Sequence, residues 1–398
     1  MNQNLHSWAT LAGVSLLFFL VTALTFSSLG VVVFPAMMDE MHFTYSGAGF
    51  GFTLLGVFCG ITATVPAMLI RRFGVRATLA GGGVVMAAAF ACLAITHDLT
   101  LYLIGCSLSG LGFTLLATVP GTYLLTRTFR HPDFAFGLYF TLGGLGGVAG
   151  PPLYLFIQAF TGGWRDFWIV SAILSLAAAI LAAIFVDTKT DLAAASHEIE
   201  EITSESWSAR AALRTPQFAI LAAAYAAFLI VDISVNYASV PHLMSHGISH
   251  DLASSMISIG ALVNAGARLV GGLVSRFIKV KTLLLLSLGI LILGLVALSV
   301  AHDTPMMLIY AAGIGIGSGL TFFSSTILLL DYFGRKPNLE IFSIVNLIST
   351  IGSVGPAFAG FVADSSKSFV PAFLILGVLV LLVLLAVVWM NPPHRVST

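Results

Sequence analysis

Stretches of about 20 or more apolar residues recur from one end of the chain to the other, and this pattern limits the possible folds before any motif is considered. A helix of that length crosses a hydrocarbon core of ~30 Å. Only 9% of the 398 residues are charged and 58% are hydrophobic, against roughly 25% charged in a soluble domain. Lipid is therefore the main solvent. A transmembrane barrel needs short strands with alternating polar positions, whereas residues 282–300 are apolar on every side. The first apolar run, about 8–36, is too long for a signal-peptide core and follows no basic leader, so it reads as a helix.

Twelve spans are predicted: 8–34, 46–70, 77–95, 99–127, 134–159, 165–187, 217–243, 252–275, 282–300, 305–330, 341–363 and 369–390. Arg71, Arg72, Arg76, Arg127, Arg130, Arg276, Lys279, Lys281, Arg335, Lys336 and Arg395 then share one side, and only Arg165 and Lys367 fall on the other. Eleven bases against two predict that both termini are cytoplasmic. The segment 188–216 has a soluble composition made acidic by Glu198, Glu200, Glu201 and Glu205; long loops do not decide orientation. It reads as a linker, with a short amphipathic helix near its end, between six-helix halves at 1–187 and 217–398. Cys59, Cys92 and Cys106 lie in apolar segments without metal spacing and read as packing residues.

The halves echo one another at an offset of 204–207 residues. Arg72-Phe73-Gly74-Val75-Arg76-Ala77-Thr78-Leu79 returns as Arg276-Phe277 and Lys281-Thr282-Leu283. Gly110-Leu111-Gly112-Phe113-Thr114 returns as Gly317-Ser318-Gly319-Leu320-Thr321, and Gly150-Pro151 as Gly355-Pro356. Parallel six-helix repeats of this kind imply substrate binding between halves near the midplane. Over its whole length the chain resembles the major facilitator superfamily, an all-α membrane fold of twelve helices in two pseudo-repeats. The resemblance makes Arg72, Gly74 and Arg76 a gating loop. It departs from the family where an aspartate is usual, at Arg71 and at Ser275 in the echo. The glycines at 143, 144, 146, 147 and 150, and at 313, 315, 317 and 319, read as close-packing faces.

Sorting the charges leaves Arg268 as the one base without a surface loop, and Asp232 deep in the seventh span. A charge at the bilayer centre costs about 2.5–3.5 kcal/mol on insertion scales. Asp232 lies roughly 22 Å from the cytoplasmic surface and Arg268 roughly 12 Å, and their side chains lean toward one another's depth. Tyr225, Asp232 and Asn236 share one helical face; Asn264 stands one turn from Arg268. A static salt bridge is one reading. The other is a functional pair, which intramembrane charges favour because desolvation offsets most of the attraction in a buried bridge.

Leu213-Arg214-Thr215-Pro216-Gln217-Phe218, together with Asn264-Ala265-Gly266-Ala267-Arg268, resembles the corresponding segments of oxalate:formate antiporters and monocarboxylate transporters. The resemblance implies that Arg268 binds a carboxylate. The lysine that the antiporters carry in helix 11 is absent from Ser343-Ile344-Val345-Asn346-Leu347-Ile348, and the helix 1 signature of animal monocarboxylate carriers is absent too. One guanidinium fork matches one carboxylate, so the expected cargo is a small monoanion. Proton symport would use both charges: protonating Asp232 leaves Arg268 unmatched until a substrate carboxylate restores neutrality.

Further substrate candidates are Thr118 on the Thr114, Thr118, Thr122, Thr126 series, Tyr139 and Asn346. His242, His246 and His250 group near an external mouth and read as solvated loop residues, and the repeat-related His97-Asp98 and His302-Asp303 need no chemistry. No nucleophile set, phosphate loop or metal cluster suggests an enzyme or a cofactor, and a channel would call for symmetric ligand rings. The expected partners are an anion, protons and the bilayer, with no nucleic acid, for a protein acting as a monomer. Exchange, or sugar or multidrug transport with a structural Arg268, are the alternatives. Chain length, short loops and the lack of an Asn-x-Ser/Thr sequon point to a bacterial inner membrane.

Overall fold

The computed structural model describes residues 2–129, 133–186, 208–334, 341, 344–345, 347–348 and 350–393, and the described residues contain no strand. Two compact units emerge: Met1–Glu200 with His250–Ser258, and Glu201–Ser249 with Ile259–Thr398. Among the described residues ten helical runs are long and apolar enough to cross a membrane, and Tyr45–Ile61 is a shorter apolar helix. With the eleventh span, described in part before Thr350 and continuously from there, these are the twelve helices of an all-α membrane protein built as two six-helix pseudo-repeats.

In the first unit, α1 (Asn2–Thr22) continues through π turns at Ala23–Ser27 and Val33–Met37 into α2 (Ser28–Val32) and α3 (Met38–Met41). It is followed by α4 (Tyr45–Ile61), α5 (Val65–Ala94), α6 (Leu99–Leu116), α7 (Thr118–Thr128), α8 (Asp133–Thr161) and α9 (Trp164–Phe185). The short α10 (Ala209–Leu213) lies where the linker was expected to end in a helix. The second unit holds α11 (Pro216–Ser245), α12 (His250–Val274) from Ile259 onward, α13 (Val280–Ser299), α14 (Thr304–Phe333), α15 (Gly355–Ser366) and α16 (Val370–Trp389).

Three irregular points shape the predicted spans, two of them interruptions that the apolar pattern does not show. The second span is interrupted after Ile61 by a turn over 62–64 and resumes in α5, whose Pro66 suits a first turn because it has no N–H to donate. The boundary predicted between 70 and 77 falls at Gly74, where two helical stretches of α5 join across a break with φ 82°, ψ 164°, a conformation open to glycine. The fourth span breaks at Ala117, three residues before Pro120, and the Ala117 carbonyl accepts both the Gly121 N–H at 3.3 Å and the Tyr139 hydroxyl at 2.9 Å.

The pseudo-symmetry extends to the helix ends. Asp98 and Asp303 each cap a helix start, accepting from the N–H groups of Leu101 at 2.8 Å and Met306 at 2.9 Å. Arg76 donates through Nε (2.7 Å) and Nη2 to the Val186 carbonyl at the end of α9. Lys281 does the same at the end of α16, on Val388 (3.0 Å) and Met390 (2.5 Å). A cation is favoured there by the partial negative charge of unsatisfied carbonyls.

The glycines of α14 separate into two packing faces. Gly313 and Gly317 lie against Gly294 and Leu291 of α13, while Gly315 and Gly319 lie against Gly260, Val263, Asn264 and Ala267 of α12. A Cβ on Gly319 would sit 2.5 Å from the Asn264 carbonyl oxygen. Gly319→Ala is expected to cost about 1–3 kcal/mol through overpacking. Thermal unfolding in detergent measures it, and an unchanged midpoint would mean that the seam yields without cost.

Candidate functional site

Three helices of the second unit bring charged and polar side chains together in a setting that is otherwise apolar. From α12, Arg268 stands at an exposed position although it lies within the helix, six residues before its end at Val274. Its Nε donates to Asn264 Oδ1 at 2.9 Å, one turn back. Its guanidinium carbon lies 4.2 Å from the centroid of the Phe322 ring of α14, within cation–π range. Two neighbours thus fix the plane of the fork. With Nε committed to Asn264, the outer edge carrying both Nη atoms is the edge left for a ligand.

From α11, half-buried Asp232 interacts electrostatically with Arg268 and lies beside Ser318 of α14. The buried Ser318 hydroxyl makes no hydrogen bond of good geometry. Asn236 donates to the Asp232 backbone carbonyl at 2.8 Å and approaches its carboxylate at 3.5 Å. The ion pairs within 4.0 Å among the described residues are Arg165–Glu40 and His250–Asp251. Asp232 and Arg268 feel each other's charge without touching, so the static salt bridge weighed from the sequence does not form. An apolar cluster backs them, with Tyr225 at 5.0 Å from Phe228 and 5.8 Å from Phe322 between ring centroids.

Asp232, Asn236, Asn264 and Arg268 therefore gather in one unit, and the other candidates fall elsewhere. Tyr139 belongs to the first unit and is fully buried. Its hydroxyl is bound to Ala117, and its ring lies 4.8 Å from that of Phe18. Gly121 leaves the space for that hydroxyl. The residue expected to contact substrate instead seals a helix break. Thr114 bonds back to Gly110 at 3.0 Å and across to Cys59 at 3.2 Å, a packing role. The Thr118 side chain and all of Asn346 lie outside the described residues. In the expected gating loop, Arg76 is tied to Val186, Gly74 makes the bend, and exposed Arg72 lies 5.2 Å over Phe73.

The histidine grouping is corrected. His250 pairs with the Val31 carbonyl at 3.0 Å and lies edge-on to Tyr154. His302 takes its place beside His242 and His246, and His242 is buried, not solvated. Phe322 and Ser318 were not singled out from the sequence. The signal available was the glycine pair 315 and 319, which sets α14 against α12 and leaves 318 and 322 beside that seam.

On Asn264, the expected outcome of substitution by alanine is a KM raised about tenfold with kcat nearly kept. The hydrogen bond lost orients a charged group and is worth about 1.5 kcal/mol. Initial-rate uptake measures it, and an unchanged KM would remove Asn264 from the site.

Comparison with known proteins gives the frame for this geometry. The family model for the Major Facilitator Superfamily matches residues 15–298 and 229–398. Human Monocarboxylate transporter 11 is 25% identical over 336 residues, covering 80% of this chain and 69% of that protein. A bacterial homolog to the human lysosomal transporter Spinster, solved inward-facing and unoccupied, superposes with a TM-score of 0.75 at 14% identity, covering 96% of this chain and 97% of its own. The nucleoside transporter NupG superposes with a TM-score of 0.77 at 13% identity, covering 95% and 99%. At such identities these two structures speak for the fold. With the family model matched along nearly the whole chain, the protein belongs to the major facilitator superfamily and is an integral membrane transporter, not an enzyme.

Proposed function

We propose that this protein moves a small organic monoanion with one carboxylate across the membrane by alternating access, coupled to protons through Asp232. The observation that carries this reading is Arg268: a mid-helix guanidinium that is exposed, held by Asn264 and Phe322, and without a carboxylate within 4.0 Å among the described residues. A fork held in plane with its outer edge free suits one carboxylate. The similarity to Monocarboxylate transporter 11 supports the same chemical class. Under this proposal the halves are 1–187 and 217–398 joined by 188–216, the termini are cytoplasmic, and a monomer works in a bacterial inner membrane. Exchange of one anion for another is the second reading; it keeps Arg268 and dispenses with Asp232 as proton carrier. Sugar or multidrug transport would leave Arg268 structural.

Thermal stabilisation of the purified protein tests the class. A cognate monocarboxylate at 100 times its Kd should stabilise the fold by about 2.7 kcal/mol, and dicarboxylates and sugars should not. Stabilisation by sugars alone would overturn the proposal.

A further inference from the structure

At the far end of α11, three histidines meet. His242 and His246 lie one turn apart, and the turn between α13 and α14 brings His302 against them. Ring centroids are 4.6 Å apart for His242 and His246 and 4.5 Å for His246 and His302. His242 Nε2 lies 2.9 Å from the Leu298 carbonyl, and His302 Nδ1 lies 2.6 Å from the Val300 carbonyl. A carbonyl oxygen only accepts, so these two nitrogens carry the hydrogens of the neutral rings. Bare lone pairs then remain at His242 Nδ1 and His302 Nε2. His246 stands between them with Nδ1 buried and without a hydrogen-bond partner.

Among the described residues no carboxylate lies within 4.0 Å of the three rings. The titratable groups acting on His242 are His246 and His302 themselves. From α14, Asp303 adjoins His302, but its carboxylate is engaged in capping Met306. From α16, the neighbour is the uncharged Phe373 ring, 5.1 Å from His242. Among the described residues no His, Cys, Asp and Glu donors converge as a metal set. The ligand left for these nitrogens is a proton.

We propose that His242, His246 and His302 form one shared proton-binding site that senses pH on the side of the membrane where α13 turns into α14. It is separate from Asp232, which lies ten residues back along α11, roughly 15 Å away, and it does not depend on which substrate is carried. One added proton turns an unpartnered ring nitrogen into a donor, and the flanking lone pairs accept it. A second would place two positive charges on touching rings with no acid between them, and is opposed. The singly protonated trio ties the end of α11 to the α13–α14 turn, and losing that proton loosens the tie.

Nitrogen-15 NMR of histidine side chains in the full chain, held in lipid nanodiscs without substrate, tests this directly. Between about pH 8 and pH 5 the trio is expected to take up one proton, not three. His302→Gln, at an exposed turn, should change the proton affinity of His246 by about tenfold or more. Three independent titrations, with His246 altered less than about twofold by that substitution, would overturn the proposal. The unsubstituted protein gives a second readout. Hydrogen-exchange protection over residues 296–303 should be higher near pH 6 than near pH 8, and equal protection would refute the tie.

Discussion

Replacing Arg268 with alanine is expected to lower monocarboxylate kcat/KM by about 100-fold or more while the protein folds normally. The estimate rests on losing two charge-assisted hydrogen bonds to the carboxylate, about 1.5–3 kcal/mol each, with the lower values suited to an exposed group. Folding should survive because Arg268 holds no structural ion pair: its contacts are Asn264, on its own helix, and the face of Phe322. Arg268→Lys keeps the charge but loses the Nε bond to Asn264, the planar fork and the flat stacking on the ring, so it should recover only a minor part of the activity. Proteoliposome uptake with size-exclusion chromatography as the folding control measures both. Full activity in the alanine variant would make Arg268 structural.

Asp232→Asn should separate coupling from transport. Accumulation driven by a pH gradient is expected to fall to the passive level, because an amide cannot carry the proton. Counter-exchange of substrate should persist within a few-fold. The side chain is close in shape, and Asn236 bonds chiefly to the Asp232 backbone carbonyl, which the substitution leaves in place. The electrostatic balance decides the direction: with the aspartate neutral, Arg268 is unmatched and calls for an anion. Unimpaired pH-driven uptake would remove Asp232 from the coupling mechanism. A variant that no longer folds would give it a structural task instead.

The fold was largely legible because membrane spans are announced by length and apolarity, and these resist local irregularity. What escaped was local. Helices are interrupted close to Pro66 and Pro120, and an apolar tally runs straight over both places. The site was legible in proportion to its charge. Arg268 and Asp232 stood out because every other base or acid had a loop or helix mouth to occupy. Phe322 carried no such signal, since one phenylalanine among thirty in an apolar chain looks like any other. Tyr139 misled for the opposite reason. A polar tip at midplane depth suggests a ligand, yet the hydroxyl closes on the Ala117 carbonyl at the helix break, alongside the Gly121 N–H. His302 was read as an idle loop residue because the sequence gives no sign that its turn folds back against α11.

Under the proposed function, Arg268 meets a single carboxylate. Counterflow in proteoliposomes, against a panel of monocarboxylates, dicarboxylates, sugars and lipophilic cations, measures that without any pH gradient. The native protein is expected to exchange at least one monocarboxylate and none of the sugars or cations, and Arg268→Ala to lose that exchange. Exchange of a sugar or a cation that is equally fast in both proteins would contradict the proposed function.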